Sequence, residues 1–112
     1  MNATGRRKLA GIIVRDEIAH LGKTQDWAAE QMGMATSSLH GVILGEAGAT
    51  PMRLRSIAGT LGLPRRLLTS IVDGDVTQIR FIGDDEMRPS QRRAILERLG
   101  RIEDAEYGAR FR

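Results

Sequence analysis

Three adjacent hydroxyl residues, Thr36, Ser37 and Ser38, lie in the first half of the sequence, and His40 follows two positions after the last of them. Hydroxyl and imidazole groups donate and accept hydrogen bonds, so these side chains offer neutral polar recognition. The surrounding range 24–52 contains three acidic residues and neither Lys nor Arg. A ligand of this segment would therefore be recognised by hydrogen bonding and not by positive charge.

No group of residues has the composition of a catalytic centre. The sequence contains no Gly-rich phosphate loop, no Cys/His pair and no pair of carboxylates in an apolar setting. The acidic stretches at 73–75 and 83–86 are typical of turns and lack the regular ligand spacing of a calcium loop. With two His and no Cys, the chain also lacks the usual ligands of a zinc site. We therefore expect a protein that is not an enzyme and binds neither a metal nor a cofactor.

The composition indicates a small globular protein. A length of 112 residues is enough for one domain, or for a small domain with an extension. The absence of Cys fits a reducing compartment, and no apolar run approaches the ~20 residues that span a bilayer. The first apolar patch ends at Arg15, which argues against a signal peptide. These features predict a cytoplasmic protein.

Positive charge flanks the acidic centre of the sequence. The isoelectric point is about 10.2, but the formal net charge is only +3. Basic residues concentrate in the ranges 6–23, 53–66 and 88–112. Electrostatic attraction to a polyanion would therefore be weak in total, and it would come from these flanks.

Apolar spacing, glycine stops and cap residues predict five helices in the first two thirds of the chain. Their expected ranges are 6–21, 25–32, 36–44, 51–61 and 65–72. Thr24 is a plausible N-cap of the second helix, and Gly33 permits a sharp turn after it. Either Ala35 or Thr36 is expected to cap the third.

The last third of the sequence has a different pattern. The segment VTQIRFI, 76–82, is rich in β-branched residues and predicts a strand. Ser90 is the expected cap of a long helix to about Glu106, with Ile95, Leu99 and Ile102 in one stripe. A strand without a partner in its own chain would pair with a second copy, so the segment 76–112 is expected to form a homodimer. The alternative is that the long helix folds back on its own domain.

A series of residues in the first part follows the order known from one family. The series is Thr24-Gln25, Ala29, Gly33, the hydroxyls 36–38, Gly45, Pro51 and Ile57-Ala58-x-x-Leu61-Gly62. This order resembles the Cro/C1-type (XRE) helix-turn-helix family over about residues 6–72. The resemblance implies a mainly α fold. It would consist of a five-helix, lambda repressor-like domain at 1–75, and an extension at 76–112 with a strand and a long helix.

The resemblance also implies a surface for double-stranded DNA. Gln25 would hold a phosphate at the positive end of the second helix. The first turn of the third helix would enter the major groove, where its hydroxyls hydrogen-bond base edges. His40 lies one turn further on, and Arg53 lies where the fourth helix passes the DNA backbone. The alternatives are that Gln25 and His40 are ordinary surface residues and that one hydroxyl serves as a helix cap.

Two features depart from the family pattern. A Glu near the end of the third helix and its Arg partner in the first are replaced by Ile43 and Ile18. Replacing both partners of a buried ion pair by apolar residues is often neutral or stabilising, so we expect Ile18 and Ile43 to touch each other in the core. The exit loop EAGAT is also not basic, which removes a usual phosphate contact.

Three functions fit these features. The first is a sequence-specific, repressor-like transcriptional regulator, bacterial or phage in type, that binds operator DNA at the nucleoid as a homodimer. The second is a DNA-binding antitoxin whose segment from Val76 onward wraps a toxin. The third is a protein-interaction module that has lost DNA binding, and the missing charge in 24–52 favours it.

Overall fold

The structure is a computed structural model that describes residues 2–46, 49–82 and 86–110, with side chains up to residue 99. Its first helix follows directly after Asn2. Within these ranges the chain forms seven helices and is mainly helical, as the sequence predicts. They are α1 Ala3–His20, α2 Gln25–Met32, α3 Thr36–Ile43, α4 Pro51–Leu61, α5 Leu67–Asp73, α6 Val76–Arg80 and α7 Pro89–Arg110. None of the helices in the described ranges has the length and apolar composition needed to cross a bilayer.

Side-chain caps explain where three of the first four helices begin. Asn2, Thr24 and Thr50 each accept a hydrogen bond from the backbone N–H three residues further on, at 2.8, 3.1 and 3.2 Å. Such a cap satisfies one of the N–H groups that a helix start leaves without a partner. The cap at Asn2 explains why α1 begins three residues before its predicted start. Thr24 caps α2, as the sequence predicts.

One hydrophobic core joins all seven helices of the described chain. Helix α1 packs against α3, α4 and α5, and α2 packs against α3 and α4. Ile18 and Ile43 are both buried in this core, with 3% and 8% of their surface exposed. Both side chains therefore face inward as expected, and the contact between them stays a prediction. Leu21 is 42% exposed, because α1 ends before it.

Helix α1 and the end of α3 approach each other closely in the core. A Cβ atom added to Gly11 would lie 2.1 Å from the carbonyl oxygen of Ile43, well inside any possible contact distance. Gly11 therefore lets the two backbones touch. This contact holds α3 against the rest of the molecule.

The predicted strand at 76–82 is wrong, because Val76–Arg80 forms helix α6. The side chain of Asp75 accepts a hydrogen bond from the N–H of Gln78 at 3.0 Å and so caps the helix. Val76, Ile79 and Ile82 are buried, which is a spacing of three residues and not the alternation of a strand. Burial of one helical face overrides the strand preference of β-branched residues.

Helix α7 folds back on its own chain. Ile95 and Leu99 are 0% and 5% exposed in the common core. Pro89 is the first residue of α7, so Ser90 lies inside the helix and is not its cap. The helix continues to residue 110, past the predicted end near 106, while the side chain of Ile102 lies outside the described part. The unpaired strand from which we predicted a homodimer is thus absent. The core runs across the predicted boundary at 75/76, and that boundary stays a prediction.

Candidate functional site

Helices α2 and α3 form a tight pair that presents one face of α3. Gly33 ends α2 with a φ of +66°, a value that glycine adopts at little cost. The N–H of Met34 then bonds to the carbonyl of Ala29 at 3.0 Å, and Ala29 is buried between the helices. Three apolar residues anchor the inner face of α3, namely Leu39, Val42 and Ile43. The opposite face is left for polar residues.

The hydroxyls at the start of α3 are not used as caps. Ala35 is the N-cap, and no side chain supplies a capping hydrogen bond. Ala35 is one of the two predicted caps, and the alternative that a hydroxyl caps α3 is wrong. Thr36 and Ser37 are exposed and Ser38 is half-buried. All three hydroxyls stand at the first turn, where the N–H groups of Thr36 and Ser37 lack an intrahelical partner and that of Ser38 donates to the carbonyl of Ala35 at 3.0 Å.

A shallow cavity of about 200 Å³ lies between this turn and the start of α4. It is lined by Ser37, Ser38, Gly41, Val42, Glu46, Ala49 and Arg53. Arg53 belongs to the first turn of α4, where its N–H donates to Thr50 Oγ1. Two predicted hydroxyls and the predicted cation therefore lie at one concave surface.

His40 and Thr36 lie apart from that cavity. They are four residues apart on α3 and so share a side of the helix. Both are exposed. Helix α3 thus presents two neighbouring polar strips, one with Thr36 and His40 and one that lines the cavity.

Gln25 is the first residue of α2 and is half-buried beside the Thr24 cap. Next to it, the ammonium of Lys23 lies 5.1 Å from the ring centre of Trp27, a cation–π distance. The ring of Trp27 is half-buried and packs against the core. Lys23 places a positive charge at the N-terminal end of α2, one residue before the range without basic residues.

Basic residues of α1 lie at the exit of α3, a relationship that the sequence did not reveal. Arg7 Nε donates to the carbonyl of Gly45 at 3.1 Å. A Cβ on Gly45 would lie 2.7 Å from the backbone nitrogen of Lys8, so the two segments touch. Arg6 instead donates to the carbonyl of Val72 at 2.8 Å. The first turns of α1 thereby bring positive charge to the C-terminal end of α3, a helix that contains neither Lys nor Arg.

Comparison with models of protein families, with curated proteins and with solved structures gives no match for this chain.

Proposed function

We propose that the chain is a sequence-specific transcriptional regulator that binds double-stranded DNA. In this proposal the α2–α3 pair is a helix-turn-helix and α3 enters the major groove, as the resemblance to the Cro/C1-type family implies. The observation that carries the proposal is the uncapped first turn of α3. Its hydroxyls at Thr36, Ser37 and Ser38 are free of a structural task and two of them are exposed.

Neutral side chains are suitable for reading bases, because direct readout depends on hydrogen bonds to base edges. Phosphates require positive groups, and these lie around α3. Gln25 lies at the N-terminal end of α2, which is positive because of the helix dipole, and Arg53 lies at the start of α4. Arg7 and Lys8 approach the other end of α3 at Gly45. In this arrangement α3 would read the bases, and the neighbouring residues would supply the affinity by binding phosphates.

A net charge of +3 gives one copy of the chain weak attraction to DNA. Two copies on a palindromic site would bind more tightly, because the second contact becomes intramolecular. We therefore propose a homodimer on DNA, with its α3 helices about 34 Å apart in successive major grooves. Light scattering on the full chain, alone and with DNA, measures the number of copies.

Selection from a random pool of double-stranded DNA tests the proposed function. The full chain should enrich a motif with two related half-sites, and anisotropy should then show at least about a thousandfold preference for that motif over random DNA. Raising the salt should weaken binding to both. Equal affinity for selected and random sequences would contradict the proposal.

A second candidate is a protein-interaction module, favoured by exposed apolar side chains near the cavity. Leu44, which caps the end of α3, is 49% exposed, and Met52 in the first turn of α4 is 79% exposed. Apolar groups of this kind suit a protein partner better than the phosphate backbone. Leu44→Ser and Met52→Ser separate the two functions, because they would weaken protein binding and leave a DNA motif unchanged.

A further inference from the structure

The backbone of Glu46 is held in place at the exit of α3. Its N–H donates to the carbonyl of Gly41 at 3.0 Å, and the N–H of Gly45 donates to that of Val42 at 3.0 Å. These paired bonds close the C-terminal end of the helix. The backbone of Glu46 therefore has a defined position, although the residue lies outside the helix.

The side chain of Glu46 turns back over α3. A Cβ added to Gly41 would lie 2.9 Å from Oε2 of Glu46, so the carboxylate rests where any other residue at 41 would put its side chain. Gly41 is one turn after Ser37 on the same side of the helix. The carboxylate thus lies on the proposed reading face and lines the same cavity as Ser37, Ser38 and Arg53.

The Glu46 carboxylate has no partner among the side chains and backbone groups that the structure describes. No hydrogen bond or ion pair with these groups involves it, and the residue is exposed. Arg53 lines the same cavity, and its guanidinium makes no hydrogen bond or ion pair with the described residues. Both groups are thus available to a ligand that enters from solvent.

A carboxylate on a surface that meets DNA carries an electrostatic cost, because like charges repel. The cost is offset if the carboxylate meets a hydrogen-bond donor, since it accepts and never donates. In the major groove only cytosine N4 and adenine N6 are donors. Adenine places the N7 acceptor beside its amine, where a carboxylate would be repelled. Cytosine presents the amine without that neighbour.

We propose that Glu46 determines specificity by accepting a hydrogen bond from the N4 amine of a cytosine in the DNA site. This inference rests on the proposed function. It adds a base-contacting residue outside α3 to the hydroxyls within that helix. Arg53 would contact a phosphate beside that cytosine and offset the local negative charge.

Selected motifs for four proteins test the inference. The wild type should enrich cytosine at one position of each half-site. Glu46→Ala should lose that preference by roughly 5- to 150-fold at this position alone. Glu46→Gln should shift the preference towards adenine, which an amide pairs with at N6 and N7. Glu30→Gln is the matched control, because it removes the same charge from an exposed residue outside the cavity and should keep the wild-type motif.

A modified base provides the second measurement. Replacing that cytosine by 2-pyrimidinone deletes the N4 amine and leaves the rest of the base. The replacement should weaken wild-type binding by at least about fivefold more than it weakens Glu46→Ala binding. Equal weakening of both, or an unchanged motif in Glu46→Ala, overturns the role of Glu46 and leaves the proposed function standing. No motif for the wild type overturns the proposed function itself.

Discussion

Arg88 donates two hydrogen bonds to the carboxylate of Glu17, at 2.9 Å from Nη2 to Oε2 and 3.4 Å from Nη1 to Oε1. The carboxylate lies in the second half of α1 with its side chain 7% exposed, and Arg88 directly precedes α7. The pair therefore fastens the beginning of α7 to the first helix. A bidentate arrangement of this kind is stronger and more directional than a single contact.

Arg88→Met should destabilise the fold, because it leaves a buried carboxylate without its partner. The Arg88 side chain is 41% exposed, so water partly replaces it, and we expect a loss of about 1–3 kcal/mol. Urea unfolding measures the loss. Arg93→Met, on an exposed position of α7, is the control. Adding Glu17→Leu to Arg88→Met should restore part of the stability, and no recovery would show that the pair itself is not the cause.

Gly11→Ala should destabilise the protein by at least about 2 kcal/mol, although alanine favours helices. The added methyl group would meet the backbone of Ile43, which has no room to move. Gly59→Ala is the matched control, since a Cβ there meets nothing within 4 Å. It should stabilise the protein by about 0.5–1 kcal/mol. Thermal unfolding of both variants compares them, and equal midpoints would contradict the close contact.

Thr24→Ala should lower stability by about 1 kcal/mol, because it removes the cap of α2. Thr36→Ala should change it by less than about 0.5 kcal/mol, since Thr36 caps nothing. The two substitutions are chemically identical and both residues are exposed at a helix start. Denaturant unfolding that gave equal losses would show that the Thr36 hydroxyl supports the fold after all.

Ile79→Ala should cost about 2–4 kcal/mol, because Ile79 is fully buried in α6. Phe81→Ala should cost little, since 84% of Phe81 is exposed. In a strand these two residues would face the same side, so the comparison separates the helix from the predicted strand. Similar losses for both in chemical unfolding would favour the strand.

Ser37→Ala and Ser38→Ala should each reduce discrimination at one base pair by about 1–3 kcal/mol. Arg53→Ala should instead weaken binding to all sequences alike and lower the salt dependence by about one charge. Titrations by anisotropy at several salt concentrations distinguish these effects. A change of motif in Arg53→Ala, or a uniform loss in Ser37→Ala, would reverse the assigned roles.

Features that depend on neighbouring residues were predictable from the sequence. The bounds of α2 and α4 match their predictions because Thr24, Gly33 and Pro51 mark the ends locally. The inward orientation of Ile18 and Ile43 followed from helical spacing. The polar face of α3 was also predicted, since Leu39, Val42 and Ile43 follow helical spacing and fall on the opposite, inner face.

Features that depend on distant parts of the chain were not predictable. Glu17 and Arg88 are 71 positions apart, and nothing around either of them indicates a pair. The approach of Arg7 to Gly45 spans 38 positions and depends on the angle at which α1 crosses α3. The error at 76–82 has a related cause, because the choice between helix and strand depended on which side chains the core would bury.

The uncapped start of α3 has a consequence for evolution. Where a hydroxyl both caps a helix and contacts a ligand, each change of specificity also weakens the fold and needs a compensating mutation. Here Ala35 is the N-cap and no side chain supplies a capping hydrogen bond, so positions 36 and 37 are under little structural constraint. Single substitutions at these positions could change the specificity, and each resulting protein would keep a stable fold. A library randomised at these two positions should therefore consist mostly of folded members.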